Sequence, residues 1–130
     1  MRNKLYVIGL ILFCLQVANC FGQESTASDP CADAETTVEM QACLKTQYEA
    51  ADAELNDSYK QLMSKLGQDR KTKFREAQRM WIQFRDASAA FEASEEEGGS
   101  MYSLLFVSAQ TEMTRKRQAY LKDLLERLEN

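Results

Sequence analysis

The 130-residue chain has no histidine, only one proline and five glycines, and each shortage narrows what it can be. Without histidine, a serine or cysteine nucleophile lacks its commonest general base. Cysteine and histidine form no metal-ligand cluster, and the scattered glycines make no phosphate-cradling loop, so no metal and no cofactor is expected. The apolar run from Leu5 to Leu15 is about 11 residues, short of the ~20 that a stable membrane-spanning helix needs. No segment alternates as a half-buried strand does, and no internal repeat is present. Twenty acidic groups outnumber sixteen lysines and arginines. An acidic balance of this kind disfavours nucleic acid, which rewards clustered positive charge.

The short apolar run has a purpose of its own. Arg2 and Lys4 precede it, and small and polar residues follow, which is the layout of a secretory signal peptide. Residues 1–22 are therefore assigned to a signal peptide, with cleavage after Cys20 or Gly22. The stretch "VANC" also approaches the lipid-attachment box of bacterial lipoproteins, with Asn19 where a smaller residue is usual. Lipidation at Cys20 would tether the protein to a membrane; cleavage after it would leave no transmembrane span. Removal of Arg2 and Lys4 with the signal leaves 14 basic groups against 20 acidic ones, a net charge near −6. A cationic partner suits such a chain, because opposite fields speed encounter.

Four cysteines can pair in three ways. The signal removes Cys14, and Cys20 goes with it if cleavage follows that residue. Cys31 and Cys43 remain, in an oxidising compartment where disulfides persist. Closing a loop of this size stabilises by about 3 kcal/mol on the chain-entropy model.

Residues 23–34 are polar and small, contain the only proline, Pro30, and read as a flexible leader. Helical signals fill residues 35–130. Thr36 and Glu39 match a capping box, and Met40, Leu44, Tyr48, Ala51, Leu55, Tyr59, Leu62 and Leu66 follow at steps of three and four. Gly67 is expected to end this helix in the left-handed conformation, and Asp69 to cap a second. The apolar stripe of that second helix runs through Phe74, Ala77, Trp81, Phe84, Ser88 and Phe91. Gly98 and Gly99 break it, and Ser100 starts a third helix carrying Leu104, Val107, Thr111, Leu121, Leu125 and Leu128. Helices of roughly 28 to 31 residues, about 42 to 46 Å long, joined by short turns, predict an all-α fold: an antiparallel up-down-up bundle of three long helices. The even stripes suggest no internal cavity.

The stretch "WIQFRDASAA", residues 81–90, gathers an aromatic, an arginine, an aspartate and a serine. On a helix, Arg85 and Asp86 project about 100° apart and do not aim at one substrate, whereas Trp81, Phe84 and Ser88 share the face that must pack. The remaining carboxylates are scattered. The sequence therefore argues against an enzyme, and Trp81, Phe84, Arg85, Asp86, Asn56 and Tyr59 are read as structural. Asp86 is expected to pair with Arg115 or Arg117, and Asn56 to hydrogen-bond across the bundle.

Several motifs occur in an order that resembles a known family. They are the cysteines before and within the first helix, Leu55-Asn56 followed by Tyr59, Trp81 with Phe84-Arg85-Asp86, the double glycine, and Thr114-Arg115. Together, over about residues 31–125, they look like the LprI-type lysozyme-inhibitor family of exported bacterial proteins. Members usually carry two further cysteines, at positions occupied here by Ala89 and Ala109. Their joint absence implies that these two positions face each other across the second and third helices. The resemblance implies an envelope protein that binds a lysozyme, many of which are strongly basic, and covers a cleft that works through a pair of carboxylates. The candidate partner-binding loop is Glu95, Glu96, Glu97, Gly98, Gly99 and Ser100, where three carboxylates sit against the unfavourable end of a helix dipole. The alternative is an envelope interaction or adaptor module with no effect on lysozyme. The basic run from Asp69 to Arg75 reads as a solvated helix start or a contact for anionic lipid or glycan. A small-ligand carrier would need an apolar cavity.

Overall fold

A computed structural model describes residues 30–130; residues 1–22, expected to be a signal peptide and including Cys20, and residues 23–29 of the expected leader lie outside the described residues. Three helices follow one another: α1 Thr37–Lys65, α2 Gln68–Ala93 and α3 Met101–Glu129, with a short 3-10 turn at Ser94–Glu96 before α3. Among the described residues there is no strand, and no helix is long and apolar enough to cross a membrane.

α1 begins at the capping box. The Glu39 N–H donates to Thr36 Oγ1 at 3.2 Å, and the Thr36 N–H donates back to Glu39 Oε2 at 3.0 Å. Just before it, residues 30–34, placed by sequence in the leader, form a turn in which the Ala34 N–H donates to the Cys31 carbonyl. The Cys31–Cys43 disulfide, with Cα atoms 5.8 Å apart, pins that turn to the second turn of the helix.

The corner between α1 and α2 differs from expectation. Gly67 has φ −71° and ψ 162°, an extended conformation rather than a left-handed one, and it is the N-cap of α2. Its carbonyl accepts from the Lys71 N–H at 2.9 Å, so the second helix starts without a side-chain cap and Asp69 lies inside its first turn. A negative charge there is still favourable, beside the positive end of the helix dipole. The glycine that does need the left-handed region is Gly98, at φ 82°.

Cross-links fix the topology. Gln41 bonds Ser103 and Lys65 pairs with Glu129, so α1 and α3 run parallel. Arg85 meets Thr114, Asp86 meets Gln110 and Gln78 meets Arg117, so α2 runs antiparallel to α3. α1 and α3 make the tightest pair, helped by small buried residues at Ala51, Ser58, Thr111 and Thr114 that let two backbones approach. The core proper is a leucine cluster of Leu55, Leu62, Leu66, Leu121 and Leu125, flanked by Tyr59, Phe74, Trp81 and Leu124.

The packing face of α2 is turned about one residue from the stripe read off the sequence. Gln78, Arg85, Ala89 and Ala93 are buried, whereas Phe84 is 63 % and Phe91 78 % exposed. The physical reason is fit. Alanines at 89 and 93 let α2 lie close to its neighbours. At 78 and 85, long stems cover the interior while their polar heads find partners. Hydrophobicity alone ranks the phenylalanines above all four.

Ala89 and Ala109 are both buried, at 0 % and 6 % exposure. In the antiparallel register set by Asp86–Gln110 and Arg85–Thr114, they belong to the same stretch of α2 and α3. Ala89→Cys with Ala109→Cys is expected to form a second disulfide on air oxidation, seen as the loss of two titratable thiols. Persistent free thiols would show the Cβ atoms to be beyond the reach of a bridge, about 4 Å.

Candidate docking end and its buried arginine

The segment "WIQFRD" supplies the polar heart of the bundle. Arg85, 6 % exposed, donates from Nε to Asp86 Oδ1 at 2.9 Å and from Nη1 to Thr114 Oγ1 at 3.3 Å. Its Nη1 also lies 3.9 Å from Asp52 Oδ1. The guanidinium sits 5.6 Å from the Tyr48 ring centroid and 5.3 Å from that of Trp81, within cation–π range of both. Adjacent residues thus do converge, because the long arginine side chain curls toward its neighbour.

Asp86 pairs with Arg85 and accepts from Gln110 at 2.8 Å; it is not paired with Arg115 or Arg117. Arg115 bonds Gln47 at 2.6 Å, and Arg117 bonds Gln78 at 3.0 Å while lying over Trp81 and Tyr120. Asn56 bonds Asp52 within its own helix, at 2.8 Å, rather than across the bundle. Tyr59 stacks on Phe74, with ring centroids 5.4 Å apart. Among the described residues, no buried side-chain nitrogen or oxygen lacks a hydrogen-bond partner. Arg85, Asp86, Gln78 and Arg117 tie α2 to α3, whereas the Asn56 bond stays within α1.

Burial raises the Asp86 carboxyl, but hydrogen bonds from Arg85 and Gln110 and the Arg85 charge outweigh it and leave its pKa below the ordinary value. A carboxyl depressed in the folded state contributes stability above its unfolded pKa of about 3.9 and loses it as the pH falls through the folded value. With no histidine in the chain, no side chain ordinarily titrates between about pH 5 and 8. Unfolding free energy is therefore expected to be flat from about pH 5.5 to 8 and to fall below about pH 4. Asp86→Asn should flatten that acid limb, as read by urea titrations at stepped pH; an unchanged limb would mean Asp86 does not carry it.

The surface tells a different story at each end. Parallel α1 and α3 bring their starts together with the end of α2. Residues 30–44 hold three acids (Asp33, Glu35 and Glu39), and residues 86–114 hold six (Asp86, Glu92, Glu95, Glu96, Glu97 and Glu112), with no lysine or arginine in either segment. The other end is mixed with a basic excess: residues 57–79 hold Lys60, Lys65, Arg70, Lys71, Lys73, Arg75 and Arg79 against Asp57, Asp69 and Glu76, and residues 122–130 hold Lys122 and Arg127 against Asp123, Glu126 and Glu129. The bundle is a rod with an acidic and a basic end. The acidic end also exposes apolar side chains: Phe91 at the close of α2, Met101 and Leu105 at the start of α3, and Val38 at the start of α1.

Glu95, Glu96 and Glu97 lie in the turn between α2 and α3, fully on the surface, with the Gly99 N–H donating to the Glu96 carbonyl at 2.9 Å. They close α2 but also precede α3, whose N-terminal dipole favours negative charge, so the two end effects oppose. A dipole cost at these glutamates does not mark the turn. Phe91, 78 % exposed, lies two residues from both buried Ala89 and Ala93 and so points away from the packing face of α2, with Glu92 and Glu95 close by in sequence. Sequence placed Phe91 in the core stripe and so missed it; a rotation of the stripe by one residue, toward Ala89 and Ala93, is the signal that would have found it.

Fold and surface together define a small three-helix bundle with one acidic end that also exposes apolar side chains. The chain belongs to the lysozyme inhibitor LprI family, whose model matches residues 27–121. It is 32 % identical, over the full length of both chains, to an uncharacterized protein of Rhizobium meliloti (strain 1021). No solved structure matches it.

Proposed function

We propose that this is an exported envelope protein that binds a cationic lysozyme with its acidic end and blocks hydrolysis by covering the cleft, without catalysis of its own. Residues 1–22 serve as the signal peptide in this reading. The observation that carries it is the segregation of charge: one end without a single lysine or arginine along residues 30–44 and 86–114, with Phe91 projecting from it. Opposite fields steer the encounter, and an exposed aromatic among polar neighbours is the usual anchor of a protein interface. The family supports lysozyme as the partner.

Titrating lysozyme with the protein and following residual hydrolysis tests this. Inhibition should saturate at a fixed stoichiometry and weaken with salt, since exposed charges are screened beyond about 8 Å at physiological ionic strength. Charge reversal of Glu95, Glu96 and Glu97 to lysine should abolish it, and Phe91→Ala should weaken it at least about tenfold. Unchanged inhibition by the triple variant would remove the turn from the interface. No inhibition by the unaltered protein would favour the adaptor reading, in which the same surface holds another envelope protein.

A further inference from the structure

The even apolar stripes predict no cavity, yet the basic end of the bundle contains one. A pocket of about 440 Å³ opens where α1 closes, α2 begins and α3 ends, within the range of small-molecule sites, about 300–1,000 Å³. Leu62 and Leu66, both members of the leucine core, form part of its lining with Phe74 and Leu124, and Arg70 and Lys73 stand at the same opening. Arg127 lines it too but is paired with Asp123 at 3.0 Å. Among the described residues, Arg70 and Lys73 have no ion pair. The pocket thus joins an apolar interior to two uncompensated cations.

We propose that this pocket binds a free single-chain amphipathic anion of the fatty-acid type, its acyl chain against Leu62, Leu66, Phe74 and Leu124 and its carboxylate between Arg70 and Lys73. An apolar chain entering there prolongs the leucine core, since each CH₂ removed from water adds favourable transfer energy. The head group gains charge-assisted hydrogen bonds from donors that have no internal acceptor. A cationic or uncharged head forfeits them. The site is at the opposite end from the proposed lysozyme contact and does not depend on it.

Laurate, kept below its micellar concentration, is the probe. It should displace 1-anilinonaphthalene-8-sulfonate, itself an apolar anion, from the purified protein at one equivalent per chain. Dodecyltrimethylammonium, with the same chain length and the opposite charge, should bind at least about tenfold more weakly. The double variant Arg70→Glu with Lys73→Glu should lose laurate affinity by about tenfold or more, and Ala77→Trp, at an exposed lining position, should exclude the probe sterically. Circular dichroism confirms that both variants keep their helices. Equal binding of the two amphiphiles, retention of laurate by the charge-reversed double variant, or binding only to lipid vesicles would each overturn the proposal. Lysozyme titration of the same variants separates the sites: Ala77→Trp should leave it unchanged, and the charge-reversed variant, which only adds negative charge, should not weaken it.

Discussion

Arg85→Ala is expected to lower the free energy of unfolding by about 3 kcal/mol, near the lower end of the roughly 3–5 kcal/mol seen when a buried charge pair is broken. The lower end applies because the two carboxylates that lose their partner, Asp52 and Asp86, are 39 % and 45 % exposed and remain partly hydrated. The cost comes mainly from elsewhere. The Arg85 stem fills space between α1, α2 and α3, its guanidinium bridges the Tyr48 and Trp81 rings, and Thr114, at 0 % exposure, loses the donor to its hydroxyl oxygen. Arg85→Lys keeps the charge but not the plane that lies over two rings and reaches Thr114 at the same time; a loss of about 1–2 kcal/mol is expected. Urea unfolding measures both. A change below about 1 kcal/mol for the alanine variant would mean that the arginine is a passenger in the interface.

Leu121→Ala is expected to cost about 3–5 kcal/mol, the lost transfer energy plus the cavity left behind. Leu121 is fully buried in the cluster with Leu55, Leu62, Leu66 and Leu125, at the face shared by the parallel pair α1 and α3. Long helices pinned along their whole length collapse poorly around a missing side chain, so the cavity persists. Phe91→Ala supplies the contrast. Phenylalanine is the larger residue, but at 78 % exposure its truncation should change stability by no more than about 0.5 kcal/mol. If the two variants unfold at the same urea concentration, the assignment of core and surface on α2 and α3 is wrong.

These contrasts show how far periodicity reaches. α1 was legible almost to the residue: the Thr36–Glu39 box, the leucines at 55 and 62 and the bridge from Cys31 to Cys43 all follow from local pattern and cysteine count. α3 was nearly as clear, with Leu104, Thr111, Leu121 and Leu125 inside. α2 was legible as a helix but not in its orientation. Two phenylalanines outweigh two alanines on any hydrophobicity scale, and nothing local shows that α2 needs small residues where it approaches its neighbours. The partners of Arg85, Asp86 and Asn56 were equally hidden, because pairing depends on side-chain reach across a register that only packing sets. The turn at Glu95–Ser100 was visible as acidic and glycine-rich; that Asp33, Glu35 and Glu39 lie at the same end of the bundle was not, because it depends on the parallel register fixed by Gln41 and Ser103.

By itself, the amino-acid order determined that three long amphipathic helices form, where two of them start, and which cysteines pair, because capping, spacing and chain connectivity are local interactions. Tertiary structure alone decided which face of α2 is covered, that the charges sort into an acidic and a basic end, and that a pocket opens at the latter. Those features arise when side chains far apart in the chain compete for the same interior volume, and close packing settles that competition by shape as much as by polarity.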